Sequence, residues 1–352
     1  MIKGKTKTEA EAQYRAIKID SSSSLKDFSI DRKKYYKKYI KNEQVEEKEN
    51  QAANMGRIVE TFLLEPEEFD NRFYMSACAS TPTGLMLDFV EALYKFTKEA
   101  TNESGEITRN FSDISQDAYR ESGFKIKYDA VISKFIGSDA EIYYNEIRTV
   151  RSKNLTVVNT QDISIAEKIV EELKTNDVTK DIVNLVSSSR YDILNQLQVE
   201  GYIVDDHKFK SMLDKVIVDF DKKQIHIYDL KCTWSVENFY EEYYLYRRAY
   251  IQAYLYHKAI LSLTRDPEMS TFNFEVLPTK FIVCDSTNYM NPLIYTLSNE
   301  DLDDAYLGFE YKGRTYPGVQ KLIQDLKWAL DNDKWNISRE NFLNNGVINI
   351  KG

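Results

Sequence analysis

The alternating stretch at residues 198–234 constrains the fold of this 352-residue chain more than any other feature. Residues 198–206, 207–220 and 224–234 alternate apolar and polar side chains around short polar turns. A period of two indicates β-strands that bury one face. We therefore predict antiparallel strands here, with residues 216–220 and 224–230 joined by a tight turn at 221–223.

Helical spacing of apolar residues surrounds this stretch. Four serines at 21–24 predict the N-cap of a helix that runs through a basic and aromatic cluster. Further helices are predicted at 51–64, 128–147, 162–174, 180–195, 236–263 and 317–331, and further strands within 272–285 and 292–298. The expected fold class is α/β, with a small mixed sheet flanked by helices.

The chain length is compatible with one large domain. We predict a single domain with a helical part at 1–130 and a catalytic core at 131–352. The polar segment 98–122 is predicted to be a loop or a poorly packed insertion.

Composition excludes several classes of protein. No apolar stretch is long enough to cross a membrane, and the first 20 residues lack the apolar centre of a signal peptide. Cys78, Cys232 and Cys284 include no CxxC pair and cannot supply four thiolates to a zinc or iron–sulfur site. We expect a cytoplasmic protein with reduced thiols and no membrane association.

The charge distribution leaves room for a local nucleic-acid surface. A net charge of −9 argues against binding over the whole surface, but not against a basic groove. Six basic residues lie close together and alternate with tyrosines: Arg32, Lys33, Lys34, Lys37, Lys38 and Lys41. They are either a solvated helix face or a phosphate-binding surface.

The hairpin carries the residues best suited to catalysis. A turn near 221–223 places Asp214, predicted at the start of one strand, level with Asp229 near the end of the next. Lys231 lies two positions further on, and thus on the same face as Asp229. Two carboxylates can hold Mg²⁺, which polarises a phosphate and activates water, while a lysine offsets developing charge. The carbonyl of Leu230 is a further candidate ligand.

Neighbouring segments add candidates. Glu200 lies one strand upstream, where it is either a supporting carboxylate or a surface residue. Gln252 and Tyr256 are four residues apart on a predicted helix, so an amide and a phenol share one face, either for packing or for function. An ion pair at the end of a strand would by itself explain Asp229 and Lys231.

Taken in order, these segments resemble the PD-(D/E)XK nucleases, in particular the RecE-like (exonuclease VIII) and lambda-exonuclease branch of phages and prophages. The resemblance spans most of the chain. It is carried by SSSSLKDFSIDRKKYY, GRIVETFLLEPEEF, KSMLDKVIVDF, IYDLKCT, IQAYLYHKA, PTKFIVCDSTNYMNPLIYTL and LDNDKW.

The resemblance implies a role for each matching residue. Asp214 and Asp229 would be metal ligands, Lys231 the catalytic lysine, and Gln252 and Tyr256 supports for the lysine or the DNA. The chain departs from the RecE pattern where Glu60 stands in place of a histidine. A carboxylate there can still bind Mg²⁺, and the lambda-exonuclease type uses an acidic residue on this helix.

The function implied by the resemblance is a Mg²⁺-dependent exonuclease, with Mn²⁺ as a substitute, that degrades linear duplex DNA 5′ to 3′ in recombination or repair. Such relatives work by two-metal phosphodiester hydrolysis, beside a single-strand annealing protein, and some form rings. A phage-encoded enzyme would act in the host cytoplasm. The basic inner surface of a ring would come from Lys33, Lys34, Lys37, Lys38, Arg247 and Arg248. Alternatives are an endonuclease or a flap or junction nuclease of the same fold, and an inactive DNA-binding or assembly protein.

Overall fold

The computed structural model describes residues 11–43, 51–265, 270, 273–286 and 291–348. Its contacts divide the chain into two compact units. The first unit combines the residues up to Glu65 with those from Ala166 onward, and the second unit is Pro66–Ile165. The prediction of a single domain with a division near residue 130 differs from this, because residue 130 falls inside a helix of the second unit.

The elements are numbered along the chain. The helices are α1 (Glu11–Ala16), α2 (Ser22–Ile30), α3 (Arg32–Tyr35), α4 (Gln51–Leu64), α5 (Phe69–Arg72), α6 (Gly84–Glu99), α7 (Phe111–Ser122), α8 (Tyr128–Phe135), α9 (Asp139–Lys153), α10 (Thr160–Thr175), α11 (Lys180–Val183), α12 (Ala249–Thr264), α13 (Asn299–Leu307), α14 (Val319–Asn332) and α15 (Arg339–Leu343). The strands are β1 (Phe73–Met75), β2 (Thr156–Val158), β3 (Tyr191–Val204), β4 (His207–Asp219), β5 (Gln224–Thr233), β6 (Glu275–Val276), β7 (Lys280–Asp285), β8 (Leu293–Thr296), β9 (Gly308–Tyr311) and β10 (Arg314–Pro317). Short π-helices span Tyr36–Ile40 and Tyr240–Tyr246, and a 3₁₀ turn spans Pro66–Glu68.

A mixed six-stranded sheet lies at the centre of the first unit. Its order is β3-β4-β5-β7-β8, and β6 pairs with β5. The β3–β4, β4–β5 and β7–β8 pairs are antiparallel, whereas β5 and β7 are parallel. With helices packed on this sheet, the α/β class with a small mixed sheet is confirmed.

Two tight connections set the register of β3, β4 and β5. Asp205 and Asp206, the two residues between β3 and β4, both have positive φ, as a two-residue hairpin turn requires. Between β4 and β5, the Asp219 carboxylate accepts hydrogen bonds from the N–H groups of Asp221 and Lys222, each at 3.0 Å. The predicted turn at 221–223 is therefore present.

Helices cover the sheet with an apolar core. Side chains of α2, α12 and α14 form one buried cluster with those of β3, β4, β5 and β7. Leu25, Phe28 and Tyr250 are among its fully buried members. Helix α4 packs against β5, where a Cβ added to Gly56 would lie 3.8 Å from the Cβ of Cys232.

The second unit has a core of its own, formed by α6, α7, α8 and α9. The prediction of a loop or poorly packed insertion at 98–122 is wrong for its second half, because residues 111–122 are helix α7. Ile114 and Ala118 are four residues apart and bury one stripe of this otherwise polar helix.

Three other predicted helices are divided or shortened. Gly137, at a φ of 72°, separates α8 from α9 within the predicted helix 128–147. Arg248, at a φ of 55°, separates the π-helix from α12 within the predicted helix 236–263. The prediction of helix at 180–195 is wrong beyond α11, because β3 begins at Tyr191. The helices predicted at 51–64, 162–174 and 317–331 are confirmed, and residue 272 of the predicted strand region lies outside the described residues.

Within the described residues, no helix combines the length and apolar character needed to cross a membrane.

Candidate active site

Strand pairing brings Asp214 and Asp229 together. The β4–β5 ladder ends with Lys215 opposite Tyr228, so Asp214 and Asp229 are the next residues in register. The Asp214 Oδ2 accepts a hydrogen bond of 2.8 Å from the N–H of Leu230. The predicted juxtaposition is present, but Asp214 lies in the middle of β4 rather than at its start, because β4 already begins at His207.

Lys231 lies beside these carboxylates. Its Nζ forms an ion pair with Asp229 Oδ2 and lies 3.4 Å from the carbonyl oxygen of Leu230. The Asp229 side chain is fully buried, whereas that of Lys231 retains 21% of its exposure. The ion pair thus joins a fully buried carboxylate to a partly exposed side chain.

Helix α12 supplies the other partner of Asp229. Gln252 Nε2 donates to Asp229 Oδ1 at 2.7 Å, and it lies 2.8 Å from the hydroxyl oxygen of Tyr256. Both α12 side chains are buried. The two predicted helix residues therefore reach the hairpin, because α12 packs on the same sheet face as the buried end of Asp229.

Lys26 on α2 extends this network and was not assigned a role from the sequence. Its Nζ donates to Gln252 Oε1 at 3.3 Å, so the Gln252 amide bridges Lys26 and Asp229. Burial, and after it the nearby Lys231 ammonium, lower the pKa of Lys26 to about 8. The motif SSSSLKDF contains Lys26, but its distance of 226 residues from Gln252 hides the contact in the sequence.

Glu60 reaches the site from α4 through a second residue that the sequence did not reveal. Gln196 on β3 donates from Nε2 to Glu60 Oε1 at 2.5 Å. Gln196 is opposite Asp214 in the β3–β4 register, between the pairs Asn195–Lys215 and Leu197–Leu213. The alternating pattern gives no sign of this contact, because Gln196 adopts a left-handed φ of 50° inside the strand.

The carboxylates influence one another strongly. Burial first, then the charges of Asp229 and Glu60, raise the pKa of Asp214 well above its usual value. Burial acts to lower the pKa of Lys231, but the Asp229 and Asp214 carboxylates outweigh it and the pKa is raised. The pKa of Tyr256 is also raised well above its ordinary value, by burial and by the same two aspartates. Tyr256 is therefore a neutral hydrogen-bonding group at physiological pH.

The donor set fits a hard divalent cation. The Asp214, Asp229 and Glu60 carboxyl groups lie near the Lys231 ammonium. Carboxylate oxygens and the Leu230 carbonyl are the ligands that Mg²⁺ and Mn²⁺ prefer. No three His, Cys, Asp or Glu side chains in the described part of the chain are already close enough to hold a metal ion.

Glu200 is not part of this arrangement. It is exposed and pairs in register with Lys210, next to the β-bulge at Gly201. Glu200 lies four residues from Gln196 on β3. The residue of β3 that contacts the site is therefore Gln196, through its buried amide, and not the predicted Glu200 carboxylate.

The predicted DNA-binding lysines fall into two groups. Lys34 and Lys38 share the carboxylate of Asp27, at 2.9 and 3.5 Å. Lys33 and Lys37 are exposed. The alternation of paired and exposed lysines follows from the helical turn, because residues three to four apart share a face.

The predicted arginines also differ from each other. The Arg247 guanidinium lies over the Tyr243 ring, 4.2 Å from its centroid, and its charge contributes to lowering the pKa of Lys26. Arg248 is half-buried and forms the left-handed N-cap of α12, and burial lowers its pKa. Arg247 is therefore the more accessible of the two cations.

Two of the cysteines are brought together next to the site. Cys232 and Cys284 are register partners on the parallel strands β5 and β7, and their Sγ atoms are 3.0 Å apart. Both are free cysteines. The hydrogen bond with Cys232, together with burial, raises the pKa of the Cys284 thiol well above its usual value. The Cys284 thiol is therefore neutral at physiological pH.

Comparison with known proteins finds a distant structural neighbour. No protein-family model matches the chain, and no curated protein shows a significant match. The chain is similar to the crystal structure of a protein described as a "putative exonuclease" from Eubacterium rectale, with 12% identity and a TM-score of 0.47. The similarity covers 97% of this chain and 87% of that one. At this level of similarity, the side chains of the site themselves have to carry any functional assignment.

Proposed function

We propose that this protein is a Mg²⁺-dependent deoxyribonuclease of the PD-(D/E)XK type. The observation that carries the proposal is the level placement of Asp214 and Asp229 across one hairpin, with Lys231 paired to Asp229. A strand-end ion pair would explain Lys231 and Asp229, but it would not explain the second buried carboxylate beside them. Burying like charges together is costly unless a cation joins them.

Each residue of the candidate site would have its own role in phosphodiester hydrolysis. A divalent cation bound by Asp214, Asp229, Glu60 and the Leu230 carbonyl would polarise the phosphate and lower the pKa of water. The Lys231 side chain is partly exposed, and its ammonium is placed to offset charge that develops on the phosphate. The Gln252 amide donates a hydrogen bond to Oδ1 of Asp229, while Oδ2 of Asp229 faces the Lys231 ammonium.

The finer proposal is an exonuclease that degrades linear duplex DNA 5′ to 3′, beside a single-strand annealing protein and as a ring-shaped homo-oligomer. It is supported by the ordered motifs from SSSSLKDF to LDNDKW rather than by any single residue. Lys33, Lys37 and Arg247 are the exposed cations proposed to contact the phosphates.

Digestion of linear duplex labelled at the 5′ or the 3′ end, with Mg²⁺ and with EDTA, tests the activity. We expect Mg²⁺-dependent loss of the 5′ label first, and a fall of about 10³-fold or more in Asp229→Ala and Lys231→Met, because groups of one catalytic unit act together. Asp221→Ala removes an exposed carboxylate from the same hairpin and should retain full activity.

A covalently closed circle separates the modes of cleavage. Digestion of the circle would replace the exonuclease proposal with an endonuclease or junction nuclease. Equal activity of wild type and Asp229→Ala would contradict the catalytic assignment, and DNA binding without any cleavage would leave an inactive binding protein.

A further inference from the structure

Gln196 combines two unfavourable features at one buried position. Its backbone has a φ of 50° within a strand, a conformation that is strained for a residue other than glycine. Its side chain is 1% exposed, and its Oε1 accepts no hydrogen bond from any described residue. A buried acceptor without a partner also costs free energy. Strain and an unsatisfied group at one residue are typical of a functional position.

The strain has a local consequence. Gln196 and Asp214 face each other between two regular register pairs of β3 and β4, without forming a pair themselves. The left-handed backbone turns the Gln196 amide to α4, where Nε2 meets Glu60 Oε1 at 2.5 Å. Glu60 is in turn close enough to Asp214 for its charge to raise the pKa of that carboxyl. Gln196 therefore connects α4 to the hairpin carboxylates.

We propose that Gln196 is a positioning residue, which holds the Glu60 carboxylate for cation binding and keeps its own buried Oε1 as an acceptor. This inference rests on the proposed function, because it gives Glu60 and Gln196 a common task at the cation site. The Gln196 Nε2–H donor fixes Oε1 of the Glu60 carboxylate in place. The amide oxygen is then available to a donor such as a water molecule that arrives with the cation or substrate.

Mn²⁺ affinity, measured by isothermal titration calorimetry without DNA, tests this role. Gln196→Met keeps the side-chain length but removes the amide. We expect Mn²⁺ affinity to fall roughly ten-fold or more, as for other residues that orient metal ligands. Gln196→Gly fits the left-handed backbone and should show the same loss, so it carries the test if the methionine variant does not fold.

Two comparisons separate positioning from simple packing. Asn195→Ala removes the neighbouring amide, which also contacts α4 through the carbonyl of Leu64 at 3.0 Å. It should lower the melting temperature but leave Mn²⁺ affinity unchanged. If Gln196 acts through Glu60, then Gln196→Met should add little to the loss caused by Glu60→Gln, because the effects of coupled residues are not additive.

The outcomes also separate this inference from the proposed function. Wild-type affinity in Gln196→Met or in Gln196→Gly would overturn the inference, as would a full additive loss in the double variant with Glu60→Gln. In both cases Mn²⁺ binding by the wild type would leave the proposed nuclease intact. Absence of Mn²⁺ binding and of Mg²⁺-dependent cleavage in the folded wild type would overturn the proposed function and this inference together.

Discussion

Burial of the Asp214 carboxyl affects the stability of the folded protein even without substrate. Its carboxyl is buried beside Asp229 and Glu60, which raises its pKa well above the usual value. A carboxyl that is protonated more easily in the folded state stabilises the fold below the unfolded pKa of about 3.9, and loses that contribution as the pH rises through the folded pKa. At neutral pH the buried Asp214 carboxyl therefore opposes folding.

We predict that Asp214→Asn stabilises the cation-free protein. At pH 7.5 with EDTA, the melting temperature should rise by roughly 2 to 4 °C, which corresponds to ~1 kcal/mol for a unit of this size. The gain should shrink near pH 4, and saturating Mn²⁺ should reverse the order by stabilising only the wild type. Calorimetry at both pH values checks this. A lower melting temperature of the variant at pH 7.5 would contradict it, and Asp221→Asn is the control.

The candidate catalytic residues can be predicted from the sequence, whereas the residues that contact them cannot. Asp214, Asp229 and Lys231 follow from a period of two and one turn. Lys26 and Gln196 act through side-chain contacts that span 226 and 136 residues. Neither the periodicity nor the residue type signals such contacts, and the left-handed φ of Gln196 defeats the alternation on which the strand prediction depends.

At the scale of elements, the β4–β5 turn sets the register on which the site depends. A slip of one residue would move Asp214 to the opposite face of the sheet. Asp219 secures the turn, since its Oδ1 accepts two N–H groups and its Oδ2 pairs with Arg190 at 3.1 Å.

We therefore predict that Asp219→Ala destabilises the protein by about 2 kcal/mol, because hydrogen bonds to a charged acceptor are among the stronger ones. The midpoint of urea denaturation measures the loss. Asp221→Ala removes only an exposed carboxylate of the same turn and should cost less than about 0.5 kcal/mol. Equal losses in both variants would show that the turn conformation does not depend on Asp219.

Strand β3 differs from β4 and β5 because its sequence does not keep the period-two alternation of apolar and polar residues. Residues 207–219 and 224–233 alternate clearly enough to predict β4 and β5. The helix predicted at 180–195 instead overlaps the first residues of β3, which begins at Tyr191. Positions 196–199 are buried on both faces of β3, so the period of two is lost there.

At the scale of the whole molecule, a net charge of −9 requires any phosphate contacts to be local. Lys33 and Lys37 are exposed on the basic segment of the first unit, while Lys125 and Lys134 are exposed in the second. Replacement of either pair by alanine changes the net charge by the same amount. The two double variants therefore differ only in the place where charge is lost.

We predict that the double variant Lys33→Ala with Lys37→Ala binds duplex DNA about ten-fold more weakly. The negative slope of log K against log salt concentration should become less steep by roughly two. Lys125→Ala with Lys134→Ala should leave both quantities near wild type. Fluorescence anisotropy in EDTA at several salt concentrations measures this without cleavage. An equal effect of the two pairs would assign binding to net charge alone.

The position of Pro66–Ile165 in the chain has a consequence for the order of events on the ribosome. Glu60 is synthesised 136 residues before its partner Gln196, and the whole second unit, with its own core, emerges in between. Because domains fold as units during synthesis, we expect the inserted unit to become protease-resistant in stalled nascent chains that still lack β3 to β5. Protease sensitivity of this unit until the last strand has emerged would contradict that order. The candidate active site would thus be among the last parts of the protein to form, after the inserted unit has completed its own core.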